Sequence, residues 1–173
     1  AIAVLLFIIS LTVIAGSLMI RIIYKRNVDL LHLGNVFLIT STWLIAESKL
    51  RQFIFPSSTV AMWMGFFMIA LLPYPFLSYL NSIQKGRYQK AFNCIGICTA
   101  VNYVLMLGLQ ALNIRDFFET MILSHIIIIA LIILMAFSMI RDVVKGYVKE
   151  YKEVALGFVI AIIGGICELS LVY

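Results

Sequence analysis

The sequence predicts an all-α fold, a polytopic transmembrane helix bundle, and three observations support this prediction. Of the 173 residues, 64% are hydrophobic and only 12% are charged. A water-soluble domain carries about a quarter charged residues, so most of this protein's surface must face lipid. The apolar residues form long runs, and each run approaches the roughly 20 residues that a membrane-spanning helix needs. These runs lack the regular apolar and polar alternation of a membrane-spanning strand.

Six segments are long and apolar enough to cross a bilayer, and we expect a helix in each because lipid offers the backbone no hydrogen-bond partners. In chain order they are residues 1–20, 30–46, 60–80, 91–112, 120–140 and 154–173. The second segment is the shortest and the least certain to span the bilayer fully. Short loops join the segments, so we expect consecutive helices to pack as antiparallel neighbours.

Basic residues alternate from loop to loop. All but three of the 13 lysines and arginines lie in the first, third and fifth loops; the exceptions are Lys49, Arg51 and Arg115. Basic loops face the cytoplasm in membrane proteins, so the N-terminal end of the segment is predicted to lie outside the plasma membrane. The net charge of +5 therefore indicates topology and attraction to anionic membrane lipids. We expect no nucleic acid partner.

Both ends of the sequence are apolar. We interpret residues 1–173 as one transmembrane helical bundle excised from a longer chain, with six spans seen of seven and with flanking sensor and output domains beyond it.

Two prolines, Pro73 and Pro75, fall inside the third span. Each lacks the backbone N–H that a helix interior needs, so we expect a bend or an unwound turn there. This bend is either purely structural or a hinge.

Ionisable side chains are costly inside a bilayer, so each one is a candidate functional group. The predicted topology places Glu47, His125 and Glu168 on three helices in the outer half of the membrane. With Trp43 and Gln110 they form a hypothetical pocket that opens outward. Such a pocket could accept a small ligand or a proton, or it could only hold helices together, with each group satisfied locally or at the membrane surface.

Motifs for catalysis are missing from the sequence, including HExxH, GxSxG, a phosphate-binding glycine loop and a CxxC pair. We therefore expect that this segment is not an enzyme and that it holds neither a metal nor a cofactor. The three cysteines do not form a disulfide framework and are interpreted as small, buried, apolar residues.

Several stretches resemble one known family. They are Thr42-Trp-Leu-Ile-Ala-Glu-Ser48, Leu71-Leu-Pro-Tyr-Pro75, the pair Ser124-His125 and a carboxylate late in the sixth span. Together they are similar to the seven-helix membrane domain of bacterial receptors with diverse intracellular signalling modules, in the form found ahead of GGDEF (diguanylate cyclase) domains. In that family a sensor precedes the bundle, and a cyclase, histidine kinase or phosphatase follows the seventh helix.

The resemblance implies a transmembrane sensory or relay domain that passes an external signal to a cytoplasmic output. The implied partners are membrane lipids, a small-molecule or protein signal, and a second copy of the full-length chain in a homodimer. The alternative from another class is a small ion- or proton-coupled transporter or channel that uses Glu168 and His125. A third reading is a purely structural anchor.

Overall fold

The computed structural model describes residues 2–24, 30–49, 51–152, 154–157, 159 and 163. Within these residues the chain is helical and forms no strand. The helices are α1 (Ile2–Tyr24), α2 (Leu30–Glu47), α3 (Arg51–Ile54), α4 (Ser58–Leu71), α5 (Pro73–Ile83), α6 (Gln89–Ala111) and α7 (Phe117–Val144), followed by a 3₁₀ turn, Tyr147–Glu150. This confirms the predicted all-α class.

Five helices of the described part are long and apolar enough to cross a membrane, with α4 and α5 together forming one of them. They coincide with the first five predicted spans, although most begin or end a few residues beyond the predicted limits. The protein is therefore a multi-pass membrane protein. Most of the sixth predicted span, 154–173, lies outside the described residues. The short helix α3 in the second loop was not predicted.

The second span, α2, is a full-length candidate span of 18 residues. It packs against α1, α4 and α5. Its buried positions are mostly small or β-branched, namely Gly34, Val36, Ser41, Ile45 and Ala46. Small residues let helix backbones approach closely in lipid, so α2 lies among its neighbours although its sequence is less apolar than theirs.

The third span is interrupted at Leu72, between α4 and α5. Pro73 has no N–H to donate to the carbonyl of Ile69, and the N–H of Leu72 donates to that oxygen instead, at 3.3 Å. Both Pro73 and Pro75 are buried. The break in hydrogen bonding thus lies at the prolines, while Leu72 keeps right-handed helical dihedrals, φ −50° and ψ −41°. A bend or unwound turn there, and its use as a hinge, stay predictions.

The turn between α5 and α6 reverses the chain within a few residues. Lys85 has a left-handed backbone, with φ 52°. The N–H of Gly86 donates to the carbonyl of Asn81 at 2.9 Å, and the N–H of Lys85 donates to that of Ser82 at 3.1 Å. These two bonds satisfy the last carbonyls of α5 in a Schellman motif. The helices on either side, α5 and α6, are packed neighbours, as the short loop predicts.

The chain divides into two compact units within α7. The first, Ala1–Ile127, contains α1 to α6 and the start of α7, and the second is Ile128–Tyr173. In the first unit a core cluster joins α4, α6 and α7, and it consists of Ala70, Met106 and Phe117 with Phe66, Phe67 and Tyr103 around them.

Candidate functional site

A buried hydrogen bond links α6 to α7. The side-chain amide nitrogen of Asn102 donates to the hydroxyl oxygen of Ser124 at 2.9 Å, and both residues are almost fully buried. Hydrogen bonds between side chains of different membrane helices contribute about 0.6 kcal/mol on average. The bond therefore links α6 to α7 at this level and favours this register.

His125 follows Ser124 directly in α7 and is itself buried, with 9% of its surface exposed. Three polar side chains from two helices are thus shielded from lipid in the same region of the first unit. The sequence singled out His125 as a candidate. Ser124 entered only through the family resemblance.

Gln110 lies near the end of α6 and caps the start of α7. Its side-chain oxygen accepts a hydrogen bond from the backbone N–H of Phe117 at 3.0 Å. The first N–H groups of a helix have no partner within that helix, so this contact satisfies one of them. The sequence prediction placed Gln110 in the hypothetical pocket, whereas the structure shows its oxygen at the α6–α7 connection.

Phe117, which the sequence reading missed, is the centre of an aromatic cluster. Its ring centroid lies 5.1 Å from that of Phe67, 5.9 Å from that of Trp63 and 6.2 Å from that of Phe66. The ring of Phe67 also lies 6.0 Å from that of Tyr103 in α6. Three of these four pairs are edge-on and that of Phe66 with Phe117 is tilted; edge-on pairs are stabilised beyond the burial of their surface. The cluster therefore joins α4 and α6 to the first residue of α7.

Glu47 is the last residue of α2 and is exposed. A methyl group added at Gly65 of α4 would lie 3.2 Å from its carboxylate oxygen Oε1. Glu47 therefore extends over the surface of α4 at a point where that helix carries no side chain. Trp43, one turn earlier in α2, is half-buried.

The structure thus describes the surroundings of three predicted site residues. Gln110 belongs to the contact between α6 and α7, His125 is buried in α7 next to Ser124 in the sequence, and Glu47 belongs to the contact between α2 and α4. Glu168 lies outside the described residues. The prediction that these side chains share one pocket therefore stays a prediction.

The described residues contain no group of three or more histidine, cysteine or acidic side chains placed to hold a metal ion. Cys94 and Cys98 are free thiols on the exposed face of α6, so the prediction that the cysteines are buried is wrong for these two.

No protein-family model matches the chain, and comparisons with curated proteins and with solved structures find no match either. The described residues have the architecture of a multi-pass membrane protein, an all-α bundle.

Proposed function

We propose that the chain is the transmembrane sensing and relay part of a bacterial signalling receptor in the plasma membrane. Its cytoplasmic output, such as a diguanylate cyclase or a histidine kinase, would belong to the full-length protein. The observation that carries the proposal is the buried hydrogen bond between Asn102 and Ser124 beside buried His125. The family resemblance of the sequence supports the same reading.

A relay needs a helix contact that has two arrangements of similar free energy. A buried polar pair between helices is satisfied in only a few registers. Asn102 and Ser124 form such a pair between α6 and α7. A signal that favours another register would release this bond and stabilise the second arrangement.

The interruption at Leu72 supplies a place where one half of the third span can move relative to the other. Its outer half, α4, contacts Phe117 through Phe66, Phe67 and Trp63. A change around Pro73 and Pro75 would thereby reach the start of α7 through side-chain contacts. An external ligand can shift this equilibrium only by its different affinity for the two arrangements.

The orientation in this proposal follows from the loop charges. Lys85, Arg87 and Lys90 at the α5–α6 turn would face the cytoplasm, and the aromatic cluster around Phe117 would lie in the outer half of the membrane. The signal would enter there, and the output would be reached through helices on the inner side. The full-length chain would act as a homodimer, and catalysis would belong to the output alone.

The test is the basal output activity of the full-length protein in membranes. A relay variant shifts the equilibrium between the two arrangements even when the stimulus is unknown, and about 1.4 kcal/mol changes it tenfold. We expect His125→Ala and Asn102→Ala to change the basal output several-fold. His32→Ala is the matched control, since this half-buried histidine lies at the other end of the bundle in α2, and it should leave output unchanged.

Two outcomes would overturn the proposal. If both variants have wild-type output while remaining folded in the membrane, the segment is an anchor. If the wild-type protein in proteoliposomes carries ion or proton flux that His125→Ala abolishes, the transporter alternative is correct.

A further inference from the structure

A buried carboxyl group lies at the end of α7. Asp142 is fully buried, and its oxygen Oδ2 accepts a hydrogen bond of 2.5 Å from the hydroxyl group of Tyr151. Tyr151 is buried as well, with 7% of its surface exposed. The bond joins the last turn of the helix to a residue nine positions later, so it closes the intervening segment into a loop.

The segment between the two residues is itself folded. Gly146 has φ 75°, a left-handed conformation that other residues rarely adopt, and its N–H donates to the carbonyl of Val143 at 3.0 Å. The 3₁₀ turn Tyr147–Glu150 follows, and the N–H of Tyr151 donates to the carbonyl of Val148 at 3.1 Å. We name residues 141–152 the basic turn.

Burial of Asp142 removes its charge from the surface of the basic turn. Besides Asp142 the turn contains one acidic residue, Glu150, against four basic ones with exposed side chains, namely Arg141, Lys145, Lys149 and Lys152. Beside them Val144 is 81% exposed and Tyr147 is 42% exposed. The candidate membrane span ends at Val144, so Arg141 lies in its last turn and the three lysines follow it. This end of the span would meet the membrane surface, where the neighbouring apolar side chains can enter it.

We propose that the basic turn is a preformed binding surface for the phosphate groups of anionic phospholipids in the membrane that the protein spans. The basic side chains supply the attraction, and the hydrogen bond between Tyr151 and Asp142 holds them in a folded arrangement on one short segment. Loop charge by itself attracts such lipids; here the fold of the turn adds to it. The proposal does not depend on the receptor function.

The experiment uses the protein reconstituted in phosphatidylcholine vesicles. The relative affinity for spin-labelled phosphatidylglycerol over spin-labelled phosphatidylcholine is measured by electron paramagnetic resonance. We expect the wild type to prefer the anionic lipid and to lose this preference as salt screens the charges. Lys145→Gln with Lys149→Gln should lower the preference by about 25-fold, since each surface lysine contributes roughly fivefold.

The decisive variant is Tyr151→Phe, which removes one hydroxyl group and no charge. If the fold of the turn matters, this variant lowers the preference by about fivefold, close to the loss of a lysine. Tyr74→Phe is its control because Tyr74 is an exposed tyrosine of α5, and it should behave as the wild type. Asp142→Asn keeps an acceptor for Tyr151 and should retain the preference.

A second control removes the same charge elsewhere, by Lys85→Gln with Lys90→Gln at the α5–α6 turn. If this pair lowers the preference as much as the substitutions at Lys145 and Lys149, general loop charge explains the binding and the proposal is wrong. Wild-type preference in a folded Tyr151→Phe variant would also overturn it. Should Tyr151→Phe fail to reconstitute, the comparison of the two lysine pairs still decides the outcome.

Discussion

The carboxylate of Glu47 covers Gly65. An added Cβ at Gly65 would lie 3.2 Å from Oε1 of Glu47 and 3.8 Å from the Cβ of Ala46. The end of α2 therefore approaches the middle of α4 closely because position 65 has no side chain. Small residues permit such close approach between membrane helices.

This contact predicts coupling between the two positions. Gly65→Ala should destabilise the protein only mildly, since the exposed carboxylate of Glu47 can move away from the new methyl group. In a Glu47→Ala background the same substitution should cost less, with a coupling free energy of at least about 0.5 kcal/mol. Unfolding by SDS titration in mixed micelles measures all four variants. Strict additivity of the two substitutions would contradict the contact.

Gly34 predicts a larger effect at the contact between α1 and α2. An added Cβ there would lie 2.6 Å from Cγ1 of Ile14 and 3.4 Å from its backbone nitrogen, so the helices must separate to admit it. Overpacking of this kind costs about 1–3 kcal/mol, and we expect Gly34→Ala to lower the free energy of unfolding by that amount.

The matched control is Gly16→Ala in α1, where an added Cβ meets nothing within 4 Å. It should be neutral or slightly stabilising because alanine favours a helix over glycine by up to about 1 kcal/mol. Equal effects of the two substitutions would show that helix propensity, and not packing, decides both. Thermal unfolding in detergent compares them directly.

The bond between Asn102 and Ser124 predicts a modest, specific coupling. Hydrogen bonds between membrane helices contribute about 0.6 kcal/mol on average, so a double-mutant cycle with Asn102→Ala and Ser124→Ala should give a value near this. Thr99→Val is a suitable control in α6, since the hydroxyl of Thr99 donates within its own helix to the carbonyl of Ile95. The cycle of Thr99→Val with Ser124→Ala should be additive, and coupling there would argue against a specific pair.

Phe117 and Phe118 predict opposite results at adjacent positions. Phe117 is 5% exposed and central to the aromatic cluster, whereas Phe118 is 78% exposed. Phe117→Ala should destabilise the protein by about 3 kcal/mol because it removes a packed ring, and Phe118→Ala should change stability little. Near-ultraviolet circular dichroism should also lose intensity only in Phe117→Ala. A reversed order of the two stabilities would refute the assigned packing.

The charge pattern predicts the orientation in the membrane. With the native cysteines replaced by serine, single cysteines are introduced at Ser58, Lys90, Arg115 and Lys145. An impermeant maleimide added to intact cells should label the variants at Ser58 and Arg115. Those at Lys90 and Lys145 should react only after permeabilisation. Labelling of the second pair in intact cells would invert the topology and remove the basis for an outward-facing signal site.

The limits of α7 show how far sequence reasoning reaches. Apolar residues predict a helix over 120–140, and the structure has it over Phe117–Val144. Its start is set by the amide oxygen of Gln110, which caps the N–H of Phe117 from seven residues away. Hydropathy measures only how apolar a segment is. It therefore cannot predict a helix start that depends on a polar side chain outside that segment.

The position of α2 shows the complementary case. As the shortest of the predicted spans it was the least certain, yet it packs against α1, α4 and α5. Gly34 and Gly65 allow these close contacts. How much a glycine stabilises such a contact depends on which residue of the neighbouring helix lies opposite it. The sequence alone does not identify that residue.

From the sequence by itself one can predict that the protein lies in lipid, that it is helical and where five of its spans lie. The reason is that each long apolar run in lipid must satisfy its own backbone hydrogen bonds. Only the tertiary structure decided that Asn102 meets Ser124, that Glu47 covers Gly65 and that Asp142 is buried against Tyr151. Each of these contacts joins residues from different turns or helices. They depend on how faces meet in space, which the composition of one segment does not encode.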